Sequence, residues 1–164
     1  MAFDGYLKIE GIPGECDDAA HKNWIRIDSY AHKIQQKATR SVGTTRGSTT
    51  GRADHGAFKV KKFIDKASPK INLSCSKGSR IDEIILELCR AAEGNQPYMK
   101  YILMNVIVSS VEYGGASQDD IALPLEELCL SYEKIDWIYT EVDDKGKKKG
   151  DIKSFFNVKG NFGG

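Results

Sequence analysis

Apolar side chains along this chain return mostly at every second position, the period of half-buried β-strands. Near the N-terminus Leu7 and Ile9 face one way while Tyr6, Lys8 and Glu10 face the other. Gly11, Pro13 and Gly14 close this strand, because proline donates no ladder hydrogen bond and glycine accepts turn dihedrals. A polar elbow follows, and a second extended run covers Trp24 to Ile34. Strand character resumes from Phe58 to Ile64, with Phe58 and Val60 in phase, and again from Ile81 to Arg90 around Ile84, Ile85 and Leu86. Tyr98 to Tyr113 is a long strand by its β-branched and aromatic content, stopped by Gly114 and Gly115. In Leu125 to Glu141 the apolar set moves from even phase (Leu128, Leu130, Tyr132) to odd phase (Ile135, Trp137, Tyr139), the mark of a β-bulge. Asp143 to Gly150 reads as a polar hairpin tip, Ile152 to Val158 as a final strand and Gly160 to Gly164 as a frayed tail.

Two segments break the period. Gln35 to Gly56 holds almost no large apolar residue, so it cannot bury a face and is expected to be a long loop or an exposed hairpin. Asp65 to Gly78 carries helix punctuation: Ser68 as N-cap, Pro69 in the first turn, Lys77 in the last and Gly78 just beyond. Many short strands, glycine-bearing turns and a single helix predict a mainly β fold. The expected form is a closed or nearly closed antiparallel β-barrel of two packed sheets, with one short flanking helix, in a single domain spanning 1–164.

The composition, 40% hydrophobic and 29% charged, is that of a globular chain with one core. With 24 basic and 23 acidic side chains the net charge is +1, which gives no electrostatic case for nucleic acid or anionic membranes. No apolar run is long enough to cross a bilayer, so no membrane insertion is expected. Asp4, Lys8 and Glu10 interrupt any signal-peptide pattern, and a cytoplasmic chain is the expectation. Cys16, Cys75, Cys89 and Cys129 are scattered with no CxxC pair and are expected as free thiols.

The candidate chemistry does not assemble. The glycine-rich run Gly43 to Gly51 lacks the Gly-Lys-Ser/Thr ending of a phosphate loop. His21, His32 and His55 have no metal-ligand spacing, and a zinc site would need ligands converging from distant segments. His21 beside Asp17 and Asp18 reads as a hydrogen bonder on an exposed elbow. Adjacent carboxylates in a strand, Glu126 and Glu127, point to opposite faces and form no dyad; solvated charges are expected. Lys147 to Lys149 is a soluble turn. No catalytic residue, cofactor or metal is expected, so the chain is expected to work through its surfaces rather than as an enzyme.

In order along the chain, Lys8 to Glu15 (KIEGIPGE), Asp17 and Asp18, and His21 to Ile25 (HKNWI) form a first signature. Lys62 to Lys70 (KFIDKASPK) with Cys75 to Gly78, Val106 to Val111 with Gly114 and Gly115, and Pro124 to Trp137 complete it. Together they resemble the haemolysin-coregulated protein (Hcp) family, which forms the inner tube of the type VI secretion system. Cys16 stands where that family commonly has serine, and Arg80 where a histidine often follows the capping glycine.

The resemblance implies a β-barrel that assembles with itself as a homohexamer and stacks into a tube, with type VI spike and sheath proteins as partners. It implies small effector proteins held in the ring lumen, and secretion through the machine without a Sec signal. Some relatives carry a C-terminal toxin; none is expected here. The polar segment is the natural element to order against a neighbour, and Arg40, Val42, Thr44, Arg46, Ser48 and Arg52 are the expected contacts, either between stacked rings or between protomers of one ring. The alternative is a non-assembling β-barrel that binds a ligand or peptide; a cysteine hydrolase using Cys16 and His21 ranks last.

Overall fold

The computed structural model describes residues 3–39, 49–91, 94–117 and 123–164. Their fold is mainly β and antiparallel. The strands are β1 (Phe3–Ile9), β2 (Ile25–Ile27), β3 (Ser29–Ala31), β4 (Ile34–Gln35), β5 (Ala38–Thr39), β6 (Thr49–Thr50), β7 (Asp54–His55) and β8 (Phe58–Phe63). After the helix α1 (Ser68–Lys77) come β9 (Arg80–Arg90), β10 (Pro97–Gly114), β11 (Leu125–Ser131), β12 (Lys134–Val142), β13 (Lys148–Asn157) and β14 (Phe162–Gly163).

The strand β10 organises the sheet, pairing with β9 on one side and with β11 and β12 on the other. Outward from β9 come β1 and β2; outward from β11 come β8 and β3; outward from β12 come β13 and β14. Residues 25–31 change partner midway, because β2 lies on β1 and β3 on β8, with the Asp28 amide donating to the Lys61 carbonyl at 2.8 Å. The inward positions, among them Leu7, Ile25, Phe58, Val60, Ile84, Leu86, Leu103, Val106, Leu128, Leu130 and Ile135, form one buried cluster that Ala67 and Ile71 of α1 extend.

The phase change read from the sequence is real, but it is not a one-residue insertion in one strand. Ile107 sits opposite Ser131 and Met104 opposite Lys134, so two residues separate these pairs on either strand and the count is kept. The buried set steps from Leu103 to Val106 on β10 where it steps from Tyr132 to Ile135 on the partner. Both strands bend together. Asn105 takes the left-handed φ of 52° that the bend requires, and its side-chain amide donates to Glu133 at 3.2 Å. Register shifts lie elsewhere, for example between Val108 and Ser110.

Helix α1 starts one residue earlier in its capping than the sequence suggests. Ala67 is the N-cap without a side-chain bond, and Ser68 is inside the helix. Asp65 replaces the expected serine cap, its Oδ1 accepting from the Ala67 amide at 3.0 Å. The C-terminal cap is as expected: Gly78 is left-handed at φ 60° and its amide donates to Cys75 O, while Lys77 lies in the last turn. The C-terminal tail is not frayed. It folds back as β14, with Phe155 and Gly164 exchanging backbone hydrogen bonds at 2.8 and 3.1 Å.

Candidate functional site

The described residues of the polar segment, 35–39 and 49–56, pair as the two strands of an arm. Its base is a short antiparallel ladder, Ile34 opposite His55 and Gln35 opposite Asp54, continued by Ala38 opposite Thr50 and Thr39 opposite Thr49. Ile34 to Lys37 are exposed, as a chain without a core of its own must be. Of the expected contact residues, Arg40, Val42, Thr44, Arg46 and Ser48 lie outside the described residues. Arg52 is described, and it is engaged within its own chain. Its guanidinium donates to the carbonyls of Val158 and Lys159, the latter at 2.9 Å, at the turn that leads into β14.

The arm is rooted by side chains that carry no recognisable spacing. The Tyr132 hydroxyl lies 2.7 Å from His32 Nε2 and 2.9 Å from His55 Nδ1. A phenol donates one hydrogen bond and accepts others, so two neutral imidazoles satisfy it, one accepting and one donating. His55 stacks on Phe156 with ring centres 5.1 Å apart, and His32 packs on Phe58 at 5.0 Å. Burial holds both histidines below their ordinary pKa; His55 lowers His32 further, while Asp54 pulls His55 the other way. Burial also pushes the Tyr132 phenol well up.

The elbow is a second built region. Gly14 and Cys16 donate to Asn23 O and Trp24 O at 2.7 and 3.0 Å, and Asn23 donates back to Cys16 O. A Cβ on Gly14 would run into the Trp24 carbonyl, so this turn admits only glycine there. Asp17 is exposed and Asp18 half-buried, but His21 is 1% exposed, which corrects its reading as an exposed residue. The elbow lies over the outer face of β1 and β9, and burial of Tyr6, His21, Glu87 and Cys89 follows from that cover. His21 Nδ1 stands 3.0 Å from Asp18 Oδ1 and Nε2 stands 2.7 Å from Glu87 Oε2, with the Tyr6 ring stacked at 4.0 Å. Hydrogen bonds from His21 and then Asn95 lower the Asp18 pKa. Lys100 pairs with Glu87 at 2.8 Å. Burial, then Glu87, Asp18 and Asp4, push the Cys89 thiol up to about 12.

A third cluster corrects the expectation of a solvated charge at Glu126. Glu126 and Lys62 face each other in register on β11 and β8, both fully buried, with Nζ 3.5 Å from Oε2. Ser68 donates to Glu126 Oε2 at 2.6 Å, and Lys62 also reaches Asp65 at 2.8 Å. The start of α1 is thereby fastened to two strands. All four cysteines are free thiols; Cys89 is buried, and Cys16, Cys75 and Cys129 are half-buried. In the elbow beside Cys16, His21 bonds to Asp18 and Glu87.

The family model described as the type VI secretion system effector Hcp matches residues 6–139. The chain belongs to the Hcp family. Protein hcp1 of Pseudomonas aeruginosa is 28% identical over 163 residues, 98% of either chain. A solved type six secretion system protein superposes with a TM-score of 0.93 at 30% identity, covering 99% of this chain and 100% of that one. Hcp1 of Salmonella typhimurium gives 0.80 at 30% identity with 99% of each chain covered. The signature segments read from the sequence contribute to each of the three clusters: the elbow holds His21, KFIDKASPK holds Lys62, Asp65 and Ser68, and the segment from Pro124 holds Glu126 and Tyr132, while His32, His55, Glu87 and Cys89 lie outside them.

Proposed function

We propose that the chain is a structural subunit of the type VI secretion tube. It forms hexameric rings that stack head to tail, assembles in the cytoplasm with spike and sheath partners, and leaves the cell through the machine, with small effectors held in the ring lumen. Closed rings and open stacks are the two outcomes of heterologous contacts, so one protomer needs two separate surfaces. The observation that carries the reading is the arm: a polar ladder without a core, anchored at its base by Tyr132, His32, His55 and Arg52. Rigid anchoring of an exposed arm lowers the entropy lost when it orders against a neighbour. Membership of the Hcp family and similarity along nearly the whole chain support it. In this reading the sheet closes into a single-domain barrel through residues 25–31, which bridge β1 and β8.

Negative-stain electron microscopy of the purified protein tests the proposal, with light scattering after size exclusion. Six-fold rings and a mass of six chains are expected. A monomer that persists at high concentration would overturn the tube reading and favour a solitary ligand-binding barrel.

A further inference from the structure

Three side chains of metal-binding type meet where the elbow lies on the sheet. A nitrogen of His21, a carboxylate oxygen of Glu87 and Sγ of Cys89 lie within 4.8 Å of one another. All three residues are buried. Glu87 and Cys89 stand two apart on β9 and project from one face, and His21 comes down on them from a segment 66 residues earlier than Glu87. We propose that His21, Glu87 and Cys89 form a zinc(II) site that pins the elbow to the sheet.

The donor set is one imidazole, one carboxylate and one thiolate, which suits a borderline-soft divalent ion and selects against magnesium and calcium. The surroundings match a metal site as well. The Nδ1 of His21 faces Asp18 at 3.0 Å, leaving Nε2 as the ligand atom, the carboxylate–histidine arrangement that orients metal-binding imidazoles. Lys100 holds the other oxygen of Glu87 at 2.8 Å, and the Tyr6 ring stacked on His21 fixes the imidazole plane. The Cys89 thiol has no hydrogen-bond partner among the described residues, unlike the polar groups beside it.

Zinc distances of about 2.0–2.1 Å to nitrogen and about 2.3 Å to sulfur place tetrahedral ligands roughly 3.3–3.7 Å apart. The His21–Glu87 contact of 2.7 Å would open and Cys89 would close, changes within the reach of side-chain rotation. Three protein ligands leave a fourth position for water. Asp18 and Lys100, 25% and 35% exposed, mark the side from which the ion enters. Coordination displaces the thiol proton to solvent, so binding tightens as pH rises. The fold does not require the ion, because His21 and Glu87 already bond directly; the metal adds a clamp between two segments that are distant in sequence.

The test uses the full chain, stripped with EDTA and titrated with zinc(II) against a chromogenic chelator, and separately loaded with cobalt(II). One equivalent per chain is expected, with a sulfur-to-cobalt charge-transfer band in the near ultraviolet and a raised thermal midpoint on adding zinc. Cys89→Ser should remove the band and weaken zinc binding at least about tenfold. Cys75→Ser, on α1, should leave both unchanged. Glu87→Gln should weaken zinc binding while keeping the cobalt–sulfur band. No stoichiometric binding by the wild-type chain overturns the proposal, as does a band that survives Cys89→Ser or disappears in Cys75→Ser. A wild-type cobalt spectrum without a sulfur-to-cobalt band overturns the proposal even where a variant folds poorly.

Discussion

The hydroxyl of Tyr132 stands 2.7 Å from Nε2 of His32, one hundred residues earlier, so the bend between β11 and β12 holds the base of the arm. His55 makes the second bond to the same oxygen, at 2.9 Å. Beside Arg52, the base of the arm therefore rests on two imidazoles whose burial lowers their pKa.

Acid should loosen it. Both histidines have folded pKa values below their ordinary 6.5, so between the two values the unfolded state binds more protons. Their contribution is therefore complete above about pH 6.5 and declines as pH falls from there through the lowered values. Hydrogen-exchange protection at Ile34, Gln35 and Asp54 should fall between pH 7.5 and 5 more than protection in β9 and β10. His32→Gln with His55→Gln should flatten that difference; an arm whose protection tracks the core at every pH would contradict the anchoring role.

The buried pair Lys62 and Glu126 should be costly to split. Lys62→Met leaves the Glu126 carboxylate buried with Ser68 as its remaining partner, and a loss of about 3–5 kcal/mol is expected. Adding Glu126→Leu should recover part of it, because two apolar residues then face each other in register. Urea unfolding curves with unchanged slopes measure both, and additive losses would show that the pair is not coupled.

At the shared bend, Asn105→Gly should be close to neutral and Asn105→Val should cost about 1–2 kcal/mol, since the backbone sits at φ 52°. Thermal melts of the two variants separate this backbone effect from the lost Glu133 contact, which both share.

Deleting residues 41–50, which spares Arg52 and the Ile34–His55 pair, should abolish tubes while leaving the fold intact. Circular dichroism and electron microscopy of the same sample report on the two halves of this statement. Tubes of unchanged length would remove the arm from the stacking contact.

Much of this architecture is written in alternation. Phe58, Val60, Leu128 and Leu130 fall inward as their phase requires, and Gly78 ends α1 where its φ of 60° is needed. Lys62 and Glu126 were legible in principle, since each sits in phase with buried neighbours on its own strand, but charge at such a position normally argues for solvent. Glu87 was not legible. It lies on the face of β9 opposite to Leu86 and Leu88, and becomes buried only because the elbow folds over it. The convergence of His32 and His55 on Tyr132 depends on pairings between remote strands, which no local spacing records. The tail from Gly160 looked too rich in glycine to be ordered, yet a side chain at Gly163 would collide with the Phe155 carbonyl, so its composition is what lets β14 close up.

The bend common to β10 and its partner constrains the lengths of both strands at once. Loss or gain of one residue near Asn105 would turn every side chain beyond it to the opposite face and slip β10 both against the segment around Glu133 and against β9, with which it pairs through Met104 and Val106. Substitutions can accumulate singly along these strands, but a change of length at the bend disturbs the pairing on both edges of β10 at once.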